Sequence, residues 1–212
     1  APSEMCIRDR YKDEVIIVSL GRLTSLAILF IVCKQLMKQI KSYYIMGGAF
    51  LHPGNVTPIS EANFYGDPAA ANIVLQSSPN MYIYPLNVTQ YSIITPEMAE
   101  YIEAKGKAPL VKPLFDHYYY SYYKNALPHL KGSPFHDTMP ILALLDNSMF
   151  TYHKSPIVIM TESYAQGASI GEFRSLEESK PFIDRPIHQI AIDFDYNRFF
   201  KHFMSLMTGE EF

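Results

Sequence analysis

An α/β fold built on a mostly parallel, open sheet flanked by helices is what this 212-residue chain predicts. Two observations carry that expectation. Short β-branched runs that end at glycine or proline alternate with segments of helical length that open on capping residues. A composition of 48% hydrophobic and 18% charged residues also supplies enough apolar surface for a buried core.

The elements follow in order. Glu14 to Leu20 is a β-branched run closed by Gly21 and reads as a buried strand of a parallel sheet. Leu23 to Ile40 has helical length and a lysine-rich end, Lys34, Lys38 and Lys41, suited to a helix C-terminus. Ser42 to Met46 is the next strand, closed by Gly47-Gly48, which completes one strand-helix-strand unit. After a polar loop, Asp67-Pro68 opens a helix with an acid at the N-cap and proline at the first helical position, and Thr95-Pro96 repeats the pattern. Met81 to Leu86 lies between them as a strand. Pro113 to Leu130 is aromatic and helical in character, Asp137 to Leu145 is a helix, and Ile157 to Met160 and Ile187 to Ile192 are strands. Asp195 to Met207 closes the chain as an amphipathic helix with Phe199, Phe203 and Met207 on one face. No repeat or low-complexity linker interrupts residues 11–212, so they read as a single domain. Residues 1–10 have neither periodicity nor signal-peptide architecture and read as a non-native lead.

Charge and composition exclude several partners. A net charge of −3 without a run of Lys or Arg gives no footprint for polymeric nucleic acid. The apolar stretch Val15 to Cys33 is broken by Gly21-Arg22 and Thr24-Ser25, and an arginine inside a membrane span costs about 2.5–3.5 kcal/mol, so no membrane partner is expected. Cys6 and Cys33 lack the spacing of a zinc or redox pair, which favours a reducing, cytoplasmic setting.

Chemistry concentrates at two polar points. The strand ending Met46-Gly47-Gly48 gives way to Gly54-Asn55 and then Glu61-Ala62-Asn63, followed by Asp67-Pro68. A loop after a strand end lies at the carboxyl edge of the sheet, where open α/β folds bind ligands, so Asn55, Glu61 and Asn63 are candidates to hold a polyhydroxyl ligand. The bland alternative is that Glu61 and Asn63 belong to a solvated loop and cap the helix at Asp67. The second point is His136-Asp137 at a helix start, able to supply a proton donor and a metal or hydroxyl ligand, or simply an N-cap. The run His117 to Tyr123 is read two ways, as tyrosines that stack on a ligand or as tyrosines that pack a helix face or subunit contact.

Met-Gly-Gly at a strand end, a following Gly-Asn and Glu-x-Asn, a nearby Asp-Pro and a late His-Asp occur in this order, and Leu20-Gly21-Arg22-Leu23-Thr24 resembles a Gly-x-Leu-Thr turn upstream. Together they resemble the inosine-uridine nucleoside hydrolase family from about Asp13 to Phe203. The resemblance implies a Rossmann-like sheet and hydrolysis of ribonucleosides to ribose and free base. It implies ribose contacts from Asn55, Glu61 and Asn63 with Met46 lining the pocket, and Asp137 binding both Ca2+ and a ribose hydroxyl. The Leu20 carbonyl is implied as a further calcium ligand, His136 as a general acid for the departing base, and Tyr120 and Tyr123 as nucleobase contacts. It also implies a homodimer or homotetramer. The Asp-rich motif that would complete the calcium site has no counterpart in Tyr11 to Val18, so the expectation is a domain truncated at its N-terminus. Three readings follow: a nucleoside N-ribohydrolase, a non-catalytic nucleoside- or ribose-binding homologue, and an inactive fragment of an enzyme. Asn87-Val88-Thr89-Gln90 departs from the family's Asp-x-Thr-His, Arg22 from its Pro or Gly, and Gly167 to Gly171 from a more basic hairpin.

Overall fold

The structure is a computed structural model that describes residues 11, 13–79, 81–174 and 184–212. The lead over residues 1–10 lies outside the described residues. In chain order the elements used below are β1 (Ile16–Ser19), α1 (Thr24–Val32), β2 (Ser42–Met46), α2 (Ala62–Gly66), α3 (Pro68–Ser77), β3 (Tyr82–Tyr84), β4 (Ile93–Ile94), α4 (Pro96–Lys105), α5 (Val111–Tyr118), β5 (Ser133–Pro134), α6 (Thr138–Leu145), β6 (Phe150–Ile159), β7 (Ser169–Gly171), β8 (Ile187–Phe194) and α7 (Tyr196–Thr208). The chain forms two compact units, Ala1–Asn87 with Tyr152–Ile192, and Val88–Thr151 with Asp193–Phe212.

The first unit carries the sheet, whose strand order is β1-β2-β3-β8-β6-β7. Strands β1, β2, β3 and β8 pair in parallel, and β7 is an antiparallel edge strand on β6. In β2, Tyr43 and Ile45 enter an aliphatic and aromatic core with Leu26, Phe30, Phe64, Val74 and Ile83. Tyr44, two apart from Met46, instead stacks on Tyr82 and Tyr84, and the Tyr84 hydroxyl meets that of Tyr152 at 2.8 Å. Both faces of the central strands are therefore covered, which is why they read as unbroken apolar runs.

Helix α1 buries Leu26, Ala27 and Phe30 and packs on α3. The helix expected over Leu23 to Ile40 is not continuous. It breaks at Cys33, where φ is −114° and ψ 36°, and a single turn, Lys34–Met37, follows. The β-branched pair Ile31-Val32 has modest helix propensity, and the chain must turn so that Lys41 N–H can reach the Val15 carbonyl at 2.9 Å and start β2. Of the three lysines, Lys34 and Lys38 consequently attend that extra turn and not the end of α1. Among the described residues, no helix is long and apolar enough to cross a membrane.

Caps behave as their chemistry requires. Asp67 accepts from Ala70 N–H at 3.0 Å ahead of Pro68, and its second oxygen takes the Thr24 hydroxyl at 2.5 Å. That hydroxyl, more than the helix amide, holds the Asp67 carboxyl below its usual range. In the second unit Thr95 caps α4 through Met98 N–H, and Asp195 caps α7 through Asn197 and Arg198 N–H. Gly106 and Gly209, at φ 70° and 80°, close α4 and α7 in the left-handed conformation that favours glycine.

The second unit also contains an acid-based clamp. Asp146 receives His202 Nε2 at 3.0 Å and the Ser148 hydroxyl at 2.8 Å, and is paired with Arg198. Chiefly through His202, then Ser148 and Arg198, its carboxyl is held down to about 2. An unfolded carboxylate titrates near pH 3.9, so this contribution is fully present above that pH and is lost as pH falls toward 2. Asp146→Asn should cost about 1 kcal/mol at neutral pH, after discounting for its half-exposed partners, and the gap from the parent should close in this acid range. Urea melts at pH 7 and pH 3 check this.

Candidate active site

The first set of candidate residues is built on the end of β2. Gly47 N–H donates to the Tyr84 carbonyl at 3.1 Å, and the Gly48 carbonyl accepts from Leu86 N–H at 2.9 Å, so the chain leaves the sheet still tied to β3's end. A Cβ on Gly47 would lie 2.4 Å from the Phe64 ring, so glycine is what lets that ring lie flush on the strand end. The departing segment is then clipped by Asn87, whose amide accepts from Phe50 N–H at 3.0 Å and donates to the Phe50 carbonyl at 2.6 Å.

The following loop is folded tightly on itself. Gly54 N–H meets the Pro58 carbonyl at 3.0 Å, and the Ser60 carbonyl accepts from Asn55 and Val56 N–H, both at 3.2 Å. Asn55 Oδ1 accepts from Ala62 N–H at 3.0 Å. Glu61, only 1% exposed, receives the N–H groups of Gly48 at 2.9 Å, Asn63 at 2.8 Å and Phe64 at 3.2 Å. It is neither a solvated loop residue nor a cap on the helix at Asp67: it caps its own short helix α2 and ties it to the strand end. Asn63 extends its Nδ2 to the carbonyls of Leu20 and Met46 and to Met46 Sδ, each at 3.2 Å. An amide side chain therefore sits across the carboxyl ends of β1 and β2. The β6–β7 turn braces this loop, since the Ser60 hydroxyl donates to the Gln166 carbonyl at 2.6 Å and Ser169 Oγ accepts from Ala49 N–H at 3.3 Å.

The second set lies in the other unit. His136 is half-buried between two hydroxyls, with Nδ1 2.9 Å from Thr89 Oγ1 and Nε2 3.2 Å from Tyr123 Oη. Burial lowers its pKa to about 4, so the imidazole rests neutral at physiological pH. The Tyr123 hydroxyl is pushed up to about 12 by the same cause. Asp137 stands at the N-cap position of α6, but its side chain makes no capping bond, so the alternative of a simple N-cap does not hold. Its φ and ψ of −71° and −14° are helical and keep the carboxylate off the amides it would need, while burial raises its pKa. The tyrosines of the run have different surroundings. Tyr119 stacks on Phe115, Tyr118, Tyr120 and Tyr122 are exposed, and Tyr123 turns to His136. A π-helical turn, Tyr119–Tyr123, follows α5; such turns are frequent at functional sites. Thr89, which the sequence marks only within a departure from the family's pattern, is the contact that pattern reading did not anticipate.

Among the described residues, no three His, Cys, Asp or Glu side chains come together as a metal ligand set. The Leu20 carbonyl faces an N–H donor from Asn63, the wrong polarity beside a cation. Calcium takes 6–8 oxygens, so the donors present here do not by themselves fit it.

Comparison with known proteins supplies an independent view. The family model described as inosine-uridine preferring nucleoside hydrolase matches residues 3–201. The chain is 33% identical to probable uridine nucleosidase 2 of Arabidopsis thaliana over 86% of its own length and 57% of that protein's. It is 34% identical to the pyrimidine-specific ribonucleoside hydrolase RihA of Salmonella newport over 80% of its length and 55% of that protein's. Among solved structures, the purine-preferring ribonucleoside hydrolase from Gardnerella vaginalis superposes with a TM-score of 0.83 at 25% identity, covering 95% of this chain and 63% of that one. A plant nucleoside hydrolase gives 0.84 at 24% identity, with 97% and 65% covered, a likeness of fold. The chain thus spans about half the length of the sequence relatives it matches.

Proposed function

Because this chain belongs to the inosine-uridine preferring nucleoside hydrolase family, we propose that the whole protein hydrolyses the N-ribosidic bond of ribonucleosides to ribose and free base, with uridine as the first substrate to test. One observation supports this above the others: Asn63 lies at the carboxyl ends of two parallel strands, where α/β folds bind small molecules. Its Oδ1 accepts no hydrogen bond among the described residues and is suited to a ribose hydroxyl.

In this reading Asn55 and Asn63 hold sugar hydroxyls, Met46 lines the sugar's pocket, and Glu61 keeps their loop in place through three main-chain bonds. Asp137, uncommitted to capping, receives a further hydroxyl. Cleavage of the C1′–N bond builds oxocarbenium character on the sugar and negative charge on the base, water adds its oxygen at C1′, and the base leaves with a proton. His136 is the group assigned to give that proton, and Tyr120 and Tyr123 the groups assigned to contact the base. Residence in the cytoplasm and assembly into a homodimer or homotetramer belong to the same proposal. A panel of purine and pyrimidine ribonucleosides, assayed on the chain extended to the length of its relatives, tests the reaction; absence of ribose release from every member would refute it.

A second reading applies to the 212 residues alone, that they bind a nucleoside or ribose without turning it over. That no three His, Cys, Asp or Glu side chains come together among the described residues favours it, because tight calcium sites gather several carboxylates. Calorimetry on this chain should then give calcium affinity no tighter than about 10⁻³ M, the weak end of protein calcium sites. Micromolar affinity accompanied by hydrolysis would overturn that second reading.

A further inference from the structure

We propose that Thr89 is a positioning residue for His136: its hydroxyl oxygen accepts the Nδ1 proton and so makes Nε2 the working edge of the ring. The geometry is direct. Thr89 is fully buried, its Oγ1 lies 2.9 Å from Nδ1, and Nε2 faces Tyr123 Oη at 3.2 Å. Thr89 is itself fixed, because its carbonyl accepts from the Ser92 hydroxyl at 2.7 Å, and Ser92 in turn accepts Phe135 N–H at 3.1 Å on its Oγ, directly before His136. The Thr89–Ser92 segment is thereby bonded to the residue that precedes the ring.

The direction of the proton chain follows from acidity. A phenol is a better donor and a poorer acceptor than an aliphatic alcohol, and a neutral imidazole has one donor and one acceptor nitrogen. The best pairing sends the Tyr123 O–H to Nε2 and the Nδ1–H to Thr89 Oγ1. Which ring nitrogen carries the proton is set by the partner of the other nitrogen, and a fixed acceptor at Nδ1 keeps the ring in one tautomer and one orientation. For the role given to His136 this matters because only Nε2 then exchanges a proton with anything beyond the ring. That last step rests on the proposed hydrolase reading; the tautomer and the orientation do not.

Long-range proton–nitrogen correlation spectra of the histidine rings, recorded on the 212-residue chain and its variants, test this without turnover. His136→Asn assigns the signals. The expected result is a pyrrole-type Nδ1 and a pyridine-type Nε2 for His136, a shift toward the Nε2–H form in Thr89→Val, and return to the parent pattern in Thr89→Ser. A pyrrole-type Nε2 in the parent, or a Thr89→Val spectrum identical to it, would overturn the proposal. So would collapse of the fold in Thr89→Val, which would make the residue structural. Because the ring signals are read without substrate, a failure of the hydrolase reading would show in the nucleoside assay and leave this result standing.

Discussion

His136→Ala, introduced into the chain extended to the length of its relatives, should slow uridine hydrolysis by about 10²–10⁴-fold while leaving a nitrophenyl riboside nearly untouched, because a general acid matters only to a leaving group that needs a proton. The structure sharpens this expectation. The imidazole is neutral at rest, since burial lowers its pKa to about 4, and a neutral ring is a poor proton donor. To act as the acid it must therefore first bind a proton from solvent at Nε2 and then give it to the departing base, and an activated leaving group has no use for that step. Parallel kcat/KM measurements on the two substrates check it. Equal losses on both would remove His136 from the role and return it to packing.

The largest expected effect on stability comes from Phe64. Its ring is fully buried and lies flush on the glycine pair that ends β2, so close that a Cβ on Gly47 would stand 2.4 Å away and one on Gly48 3.0 Å away. Phe64→Ala should cost about 3–5 kcal/mol, the lost transfer of the ring plus the cavity left at the strand end. Gly47→Ala should cost about 1–3 kcal/mol by overpacking with the ring present, and much less in the Phe64→Ala background, because the added methyl then enters the space the ring vacated. Urea unfolding of the four members of this cycle measures the coupling. Additive losses would mean that the ring and the strand end do not share that space.

Much of the frame was legible in the sequence because local chemistry dictates it. Asp67-Pro68 and Thr95-Pro96 announced helix starts with cap and proline together, and both form as read. The glycine pair after Met46 marked a strand end, and the close approach of Phe64 explains why no larger residue stands there. The continuous helix from Leu23 to Ile40 failed because tertiary demand, the need to return to β2, outweighed a weak propensity for helix at Ile31 to Cys33. For the candidate site, sequence spacing pointed to a loop but could not show the bonds within it. It offered Glu61 as a ligand contact or as a cap on the helix at Asp67; the carboxylate caps α2 instead of that helix and accepts three amides of its own loop and strand end. Thr89 is 47 residues from His136 in the chain, and no periodicity links them; only folding brings hydroxyl and ring together.

The proposed reaction is most directly tested by following uridine in the presence and absence of inorganic phosphate, with the extended chain as catalyst and the sugar product identified by mass. Hydrolysis requires free ribose and uracil in equal amounts at a rate that does not depend on phosphate. Formation of ribose 1-phosphate, or cleavage that starts only when phosphate is added, would contradict the account, since the bond would then be broken by phosphate and not by water.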